Sequence, residues 1–348
     1  MEAEKSRKKY LLSIWDRVPR ASRIFGEYGI LLALILIWAV MALTNKYFLT
    51  MNNIFNIFRE ASFLGIAAVG MTFVIMVKGI DLSVAAILSL SSVVAATLIE
   101  PIGPFGAILV VLAIGAVCGL INGLFIVRLR IPPFITTLGT YNIYRTIAYF
   151  FTKGGTLKID NPAFIAIGNN GLGGLPYPFI VLFVSIVTGT ILLKRTNFGR
   201  SVLAIGNSEK ASNVSGVDVK FVKTMVYVIL GVCTSICAIL LSSRLYSARA
   251  EMKIGYEFNV ITIVVMGGCA LAGGRGNIIS TGISSLFYVS INNAMNNYNV
   301  DPYWQYIING IILLIAFSMY NIKDMITEYV QMRRKRKEYA SAEKAPSH

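Results

Sequence analysis

Nine stretches of this chain contain no Asp, Glu, Lys or Arg: residues 28–45, 61–77, 82–99, 101–127, 161–193, 224–243, 258–274, 277–300 and 302–322. A helix needs about 20 apolar residues, range about 17–25, to cross the hydrocarbon core of a bilayer. Nearly all nine meet that length, and 134–152, whose one charge is Arg145, adds a tenth. They are too long for barrel strands and lack the period-2 alternation such strands need. The chain therefore reads as an all-α polytopic membrane protein of about ten transmembrane helices. These fall near 28–44, 57–77, 83–99, 106–127, 134–151, 177–193, 224–243, 259–273, 278–298 and 303–320. Pro132-Pro133, Pro176, Pro178 and Pro302 stand just before spans, where proline suits the first helical turn. Segments 79–85 and 267–276 read either as simple turns or as re-entrant pieces.

Composition agrees. Hydrophobic residues make up 55% and charged residues 14%, against about 25% charged in soluble domains. So apolar a chain cannot be disordered. The net charge of +15 would suggest nucleic acid in a soluble protein, but position decides otherwise. With ten spans and a cytoplasmic N-terminus, 24 of the 32 basic residues fall on the inner side. That asymmetry is the positive-inside pattern. Both termini are then cytoplasmic: a basic segment 1–27, a transmembrane domain 28–322 with a long inner loop at 195–223, and a basic tail 323–348. Anionic lipid accounts for the basic clusters at 5–9 and 333–337, and no nucleic-acid partner is expected. The first span reads as a retained anchor rather than a cleaved signal.

Some chemistry is missing. Cys118, Cys233, Cys237 and Cys269 all lie in apolar spans without histidine nearby and read as small packing residues. The one histidine is His348, the last residue, which argues against a His-based triad. The glycine-rich run Gly273-Gly274-Arg275-Gly276 lacks the Lys-Ser/Thr of a phosphate loop. The chain is expected to be no enzyme and to bind no cofactor or metal; work drawn from ATP would need another subunit.

Four segments say more. In Gly79-Ile80-Asp81-Leu82-Ser83-Val84 a carboxylate stands at a span junction. Asp81 with Ser83 either caps the helix that starts there or lines or gates a pathway. In 201–223, Ser208 reads as an N-cap, Glu209 as first turn and Gly216 as stop. A helix of about two turns is unstable alone, so it docks on its own spans or on a partner. Gly115, Gly119 and Gly123 recur every four residues, a packing device. Asn122 beside them faces a solute path or a neighbouring helix. Asn292, Asn293, Asn296 and Asn297 crowd one span, where amides facing lipid are costly. They bond other helices, emerge at the headgroups, or line a cavity suited to an uncharged polyhydroxylated solute. Tyr141 and Asn142 are weaker candidates of the same kind.

These segments resemble the permease subunits of bacterial importers of the ATP-binding-cassette (ABC) type for simple sugars, the ribose/xylose/galactoside group. Residues 79–84 look like that family's G-I-D-L-S-V signature, and 121–140 (INGLFIVRLRIPPFITTLGT) like the region around its fourth and fifth spans. Phe198-Gly199-Arg200 with 204–217, including Glu209, Ala211 and Gly216, resembles its cytoplasmic coupling loop. Residues 264–277 (VVMGGCALAGGRGN) resemble its glycine-rich segment. Permeases for branched-chain amino acids are more distant relatives. The resemblance implies a pathway for a pentose or hexose across the bacterial inner membrane, formed by two permease copies, identical or related. It implies an ATPase subunit, where ATP is used, docked at Gly199, Arg200, Glu209, Ala211 and Gly216. It also implies a periplasmic or lipid-anchored sugar-binding protein outside. Gly79, Asp81, Ser83, Gly273, Gly274 and Gly276 become signature or gating candidates. Asn122, Tyr141, Asn142, Asn292, Asn293 and Asn296 become pathway candidates. The other readings are the same machine for a furanose-like signalling molecule, nucleoside or amino acid, or a stand-alone secondary carrier, channel or intramembrane enzyme.

Overall fold

The computed structural model describes residues 29–318. The basic segment 1–27, the tail 323–348 and the end of the last expected span lie outside the described residues. Twelve helices follow one another: α1 Gly29–Thr44, α2 Met51–Met76, α3 Val84–Arg128, α4 Pro133–Thr152, α5 Pro162–Asn169, α6 Tyr177–Arg195, α7 Asn197–Asn207, α8 Glu209–Val214, α9 Val219–Leu245, α10 Tyr256–Met266, α11 Ile278–Asn297 and α12 Pro302–Ser318. Four of them, α2, α3, α6 and α9, are long and apolar enough to cross a membrane.

The 45 residues of α3 are two helices joined at a kink, where Gly103 takes φ +73 between Pro101 and Pro104. Neither proline can continue the helical ladder, and a glycine meets no penalty in that conformation. The arms fold back on each other. Asn122 of the second arm bonds Ser83 at the start of the first. Ser91 on one arm and Gly115 on the other both lie against Ser235 of α9. The two spans expected near 83–99 and 106–127 are thus the arms of one hairpin.

Glycine sets how closely that hairpin meets α9. A Cβ at Gly115 would collide with Ser235 and the Gly231 carbonyl, one at Gly119 with the Tyr227 carbonyl, and one at Gly123 with Thr224. Backbones in contact maximise dispersion where lipid offers no hydrophobic drive. Helix α2 is interior, with 78% of its most apolar window buried, whereas α6 at 22% is peripheral. Cys118 and Cys237 are buried free thiols in this packing.

Three departures from expectation have local causes. Helix α10 stops at Met266, not near 273. Gly268 takes φ +83, its N–H bonds Val265 O and the Cys269 N–H bonds Val264 O, a Schellman stop. The outer segment after α4 carries helix α5, capped by Asn161. It also holds two short ribbons, β1 Thr156–Lys158 with β4 Ser247–Arg249 and β2 Gly171–Leu172 with β3 Leu175–Pro176. The inner loop holds a second helix, α7, besides the expected short one.

Candidate functional site

The three glycine-bearing motifs meet at one point. Helix α2 ends with Lys78 at φ +64, its N–H bonded to Ile75 O and that of Gly79 to Val74 O. Met76 O beyond that ladder accepts from the Gly274 N–H at 2.9 Å. Gly206 of α7 lies against both: an added Cβ would strike Met76 O and Gly274 N. Gly273 and Gly274 take φ +81 and +75, and a Cβ on Gly274 would meet Asn207 Oδ1 at 2.7 Å. Gly276 packs on the Met76 side chain and Cys269 Sγ. So the inner loop, the end of α2 and the glycine-rich segment touch backbone to backbone. Only glycine permits that approach, and Gly206, not singled out from the sequence, is its centre.

Next to this junction Asp81 is 1% exposed. Its Oδ1 accepts from the Ser83 N–H at 2.7 Å and the Ser83 hydroxyl at 2.6 Å, and its Oδ2 from Asn122 Nδ2 at 3.1 Å. Asn122 also donates to Ser83 Oγ at 2.8 Å and accepts from the Tyr144 hydroxyl at 3.2 Å. Thr137 of α4 accepts from the Leu82 N–H at 3.1 Å. The arrangement clasps the 77–83 loop between α3 and α4, and the Asn122 amide is used up inside it. Thr137 and Tyr144 carried no sequence signal beyond being polar in a span. The Tyr227 hydroxyl is buried beside Gly79 without a partner.

In the inner loop, Ser208 accepts from the Ala211 N–H at 3.2 Å and caps α8, with Glu209 in its first turn. Gly216 at φ +81 ends it, the N–H groups of Gly216 and Val217 closing on Asn213 O and Ser212 O. Glu209, Lys210, Ala211, Asn213 and Val214 face solvent, while Ser212 is buried. Glu209 pairs with Lys223 at 2.8 Å, tying α8 to α9. Arg200 is exposed. Gly199 is buried where a Cβ would hit the Leu192 and Leu193 carbonyls, so it forms the turn from α6 to α7.

The α11 amides divide as the helical spacing requires. Asn293 and Asn53 of α2 exchange two bonds, at 2.7 and 3.0 Å, and Asn297 donates to Asn293 at 2.9 Å. On the other face Asn309 and Gln305 of α12 donate to Asn292 at 3.1 Å and Asn296 at 2.8 Å. Asn142 is exposed and bonds its own helix at Leu138 O. Tyr141 is half-buried under Arg145.

A helical chain whose polar side chains turn inward, with a capped surface loop welded to its transmembrane core, is a multi-pass membrane protein of the permease kind. The chain belongs to the family described as "Branched-chain amino acid transport system / permease component", matched over residues 53–317. Among its relatives are ribose import permease proteins. That of Bacillus subtilis is 38% identical, covering 84% of this chain and 92% of the relative. That of Escherichia coli K12 is 34% identical, covering 85% and 94%. The L-arabinose transport system permease protein of Escherichia coli K12 is 35% identical, covering 86% and 93%. These relatives are transport permeases, not enzymes. No solved structure matches.

Proposed function

We propose that this chain is the membrane-spanning permease subunit of an ABC importer for a simple sugar, a pentose or hexose, in the bacterial inner membrane. Ten crossings follow if the α3 arms count separately and α10 counts with the irregular chain before it. The charge asymmetry then puts both termini in the cytoplasm. A separate ATPase subunit docks on α8 and the exposed edge of α7, through Arg200, Glu209 and Ala211. Two permease copies enclose the pathway and a binding protein supplies sugar from outside.

The observation that carries this reading is the backbone junction at Gly206. A displacement of α7–α8 by a docked ATPase bears directly on Met76 and Gly274, and through the end of α2 on the Asp81 clasp. Rigid-body motion of packed helices around a fixed site is the general route to alternating access. The sugar assignment is supported by the ribose and arabinose relatives and by the G-I-D-L-S-V segment.

The test is uptake of labelled D-ribose and L-arabinose by proteoliposomes holding the chain, its ATPase and its binding protein. Uptake is expected only with ATP and all three components. The Glu209→Lys, Gly216→Pro double variant is expected to stay in the membrane yet uncouple hydrolysis from uptake. Transport by this chain alone would overturn the assignment. ATP-driven uptake of a nucleoside or amino acid in place of either sugar would keep the machine and change its solute.

A further inference from the structure

The chain between α9 and α10 does not cross the membrane as a helix. It enters through β4, and residues 250–256 then run at depth. Ala250, Met252 and Tyr256 are each 2% exposed. Met252 O accepts from Ser89 Oγ at 3.2 Å, and the Tyr256 hydroxyl donates to Phe63 O on α2. Phe63 lies thirteen residues from Met76, about 20 Å along the axis. The 11 residues of α10 cover only about 16 Å of the crossing before the stop at Gly267-Gly268. The N-terminus of α10 therefore sits near mid-membrane, with no side chain capping it. Non-helical backbone at that depth is tolerated where protein buries it or where it lines a wet cavity, and interrupted spans mark solute sites in transporters.

Polar groups gather at this break. Arg145 of α4 stands twelve residues from Pro133, about 18 Å up the axis, at a matching height. Its guanidinium lies over the Tyr141 ring, 4.5 Å from the centroid, and Nη1 donates to the Tyr141 hydroxyl. Its Nε and Nη2 are buried without partners. Glu257, in the first turn of α10, is 6% exposed and its Oε2 is buried without a partner. Arg145 is the charged residue that acts on it electrostatically, yet no ion pair among the described residues joins the two. Tyr149, two turns on from Tyr141, donates to Glu251 Oε1 at 2.5 Å on the exposed rim.

Buried charges that stop short of pairing cost several kcal/mol each in a medium of low dielectric. Elsewhere in this protein the amides at depth are closed on one another. Here two N–H groups and a carboxylate oxygen are held open around an aromatic face. We propose that Arg145, Glu257 and the rings of Tyr141 and Tyr149 form a contact site for an uncharged polyhydroxylated solute near mid-membrane. Hydroxyl groups both donate and accept, so one such solute satisfies Arg145 and Glu257 together. A charged solute would satisfy one and repel the other. The ring supplies a flat apolar surface for the C–H face of a sugar. The site rests on the sugar reading above and names where the sugar is held in passage.

The test uses the full complex in proteoliposomes with D-ribose and L-arabinose as probes. Arg145→Met and Glu257→Gln are each expected to cut initial uptake at least tenfold while the chain stays in the membrane and copurifies with its ATPase. The charge exchange, Arg145→Glu with Glu257→Arg, is expected to stay below a tenth of wild-type uptake. Restoration by the exchange would reveal a structural ion pair and overturn the site, as would wild-type rates in the single variants. If Arg145→Met fails to accumulate, Tyr141→Phe decides, since it removes the hydroxyl that orients the guanidinium. A threefold or greater loss supports the site and an unchanged rate overturns it. A wild-type complex that carries neither sugar sinks the sugar reading itself; normal transport with indifferent variants sinks only the site.

Discussion

The inner junction and the mid-membrane break are built in opposite ways. At the junction, Gly206, Met76, Gly273 and Gly274 meet through backbone, the neighbouring Asp81–Ser83–Asn122 clasp is closed by hydrogen bonds, and little room is left. At the break, side chains do the joining and Arg145 and Glu257 keep unmet bonding capacity. A packed, saturated contact passes displacement on because it cannot be compressed. An unsaturated polar pocket gains most from an occupant that completes it. The difference separates a region that transmits motion from one that holds solute.

Substitutions sharpen that contrast. The largest effect is expected from Gly206→Val, which forces branched carbon into the Met76 and Gly274 backbones. ATP-driven uptake, normalised to chain in the membrane, should vanish, and survival at wild-type rates would show the junction to be slack. Gly119→Leu should follow, lowering stability by about 3 kcal/mol, the upper range for overpacking, read as a drop in melting temperature in detergent. Asn122→Leu strips the Asp81 carboxylate of a donor, and a buried acceptor left unmet costs about 1–3 kcal/mol. The same melt should fall, with Asp81→Asn recovering part of the loss in the double variant. The Asn53–Asn293 pair, cycled through alanine, should show coupling of about 0.6 kcal/mol, as for interhelical bonds in membranes generally. Smallest is Lys223→Ala: the half-exposed pair with Glu209 is worth at most about 1 kcal/mol, so the melt should hardly move.

Much of this was legible along the chain because membrane helices announce themselves. The spans, the Ser208 cap, the Gly216 stop and the glycine repeat in α3 all rest on rules acting over a few residues. The α11 amides were legible only halfway. Spacing put Asn292 with Asn296 and Asn293 with Asn297, but their partners, Asn309 and Gln305 on one side and Asn53 on the other, lie on other helices. Helix α10 was read too long because periodicity alone does not show that Gly268 closes a Schellman turn. Arg145 stood out as the one charge in its stretch, but nothing local joined it to Glu257, more than a hundred residues on.

Sequence by itself determined the medium this protein lives in and the sites where its helices begin and end. Charge and apolarity are counted residue by residue, and caps and stops are satisfied within a turn. Only the tertiary structure decided which polar groups are closed and which stay open. Asn122 was a pathway candidate until Asp81, Ser83 and Tyr144 were seen to claim both ends of its amide. Arg145 and Glu257 became a site because helices remote in sequence meet at a broken span. A hydrogen bond's partner is a fact of three dimensions.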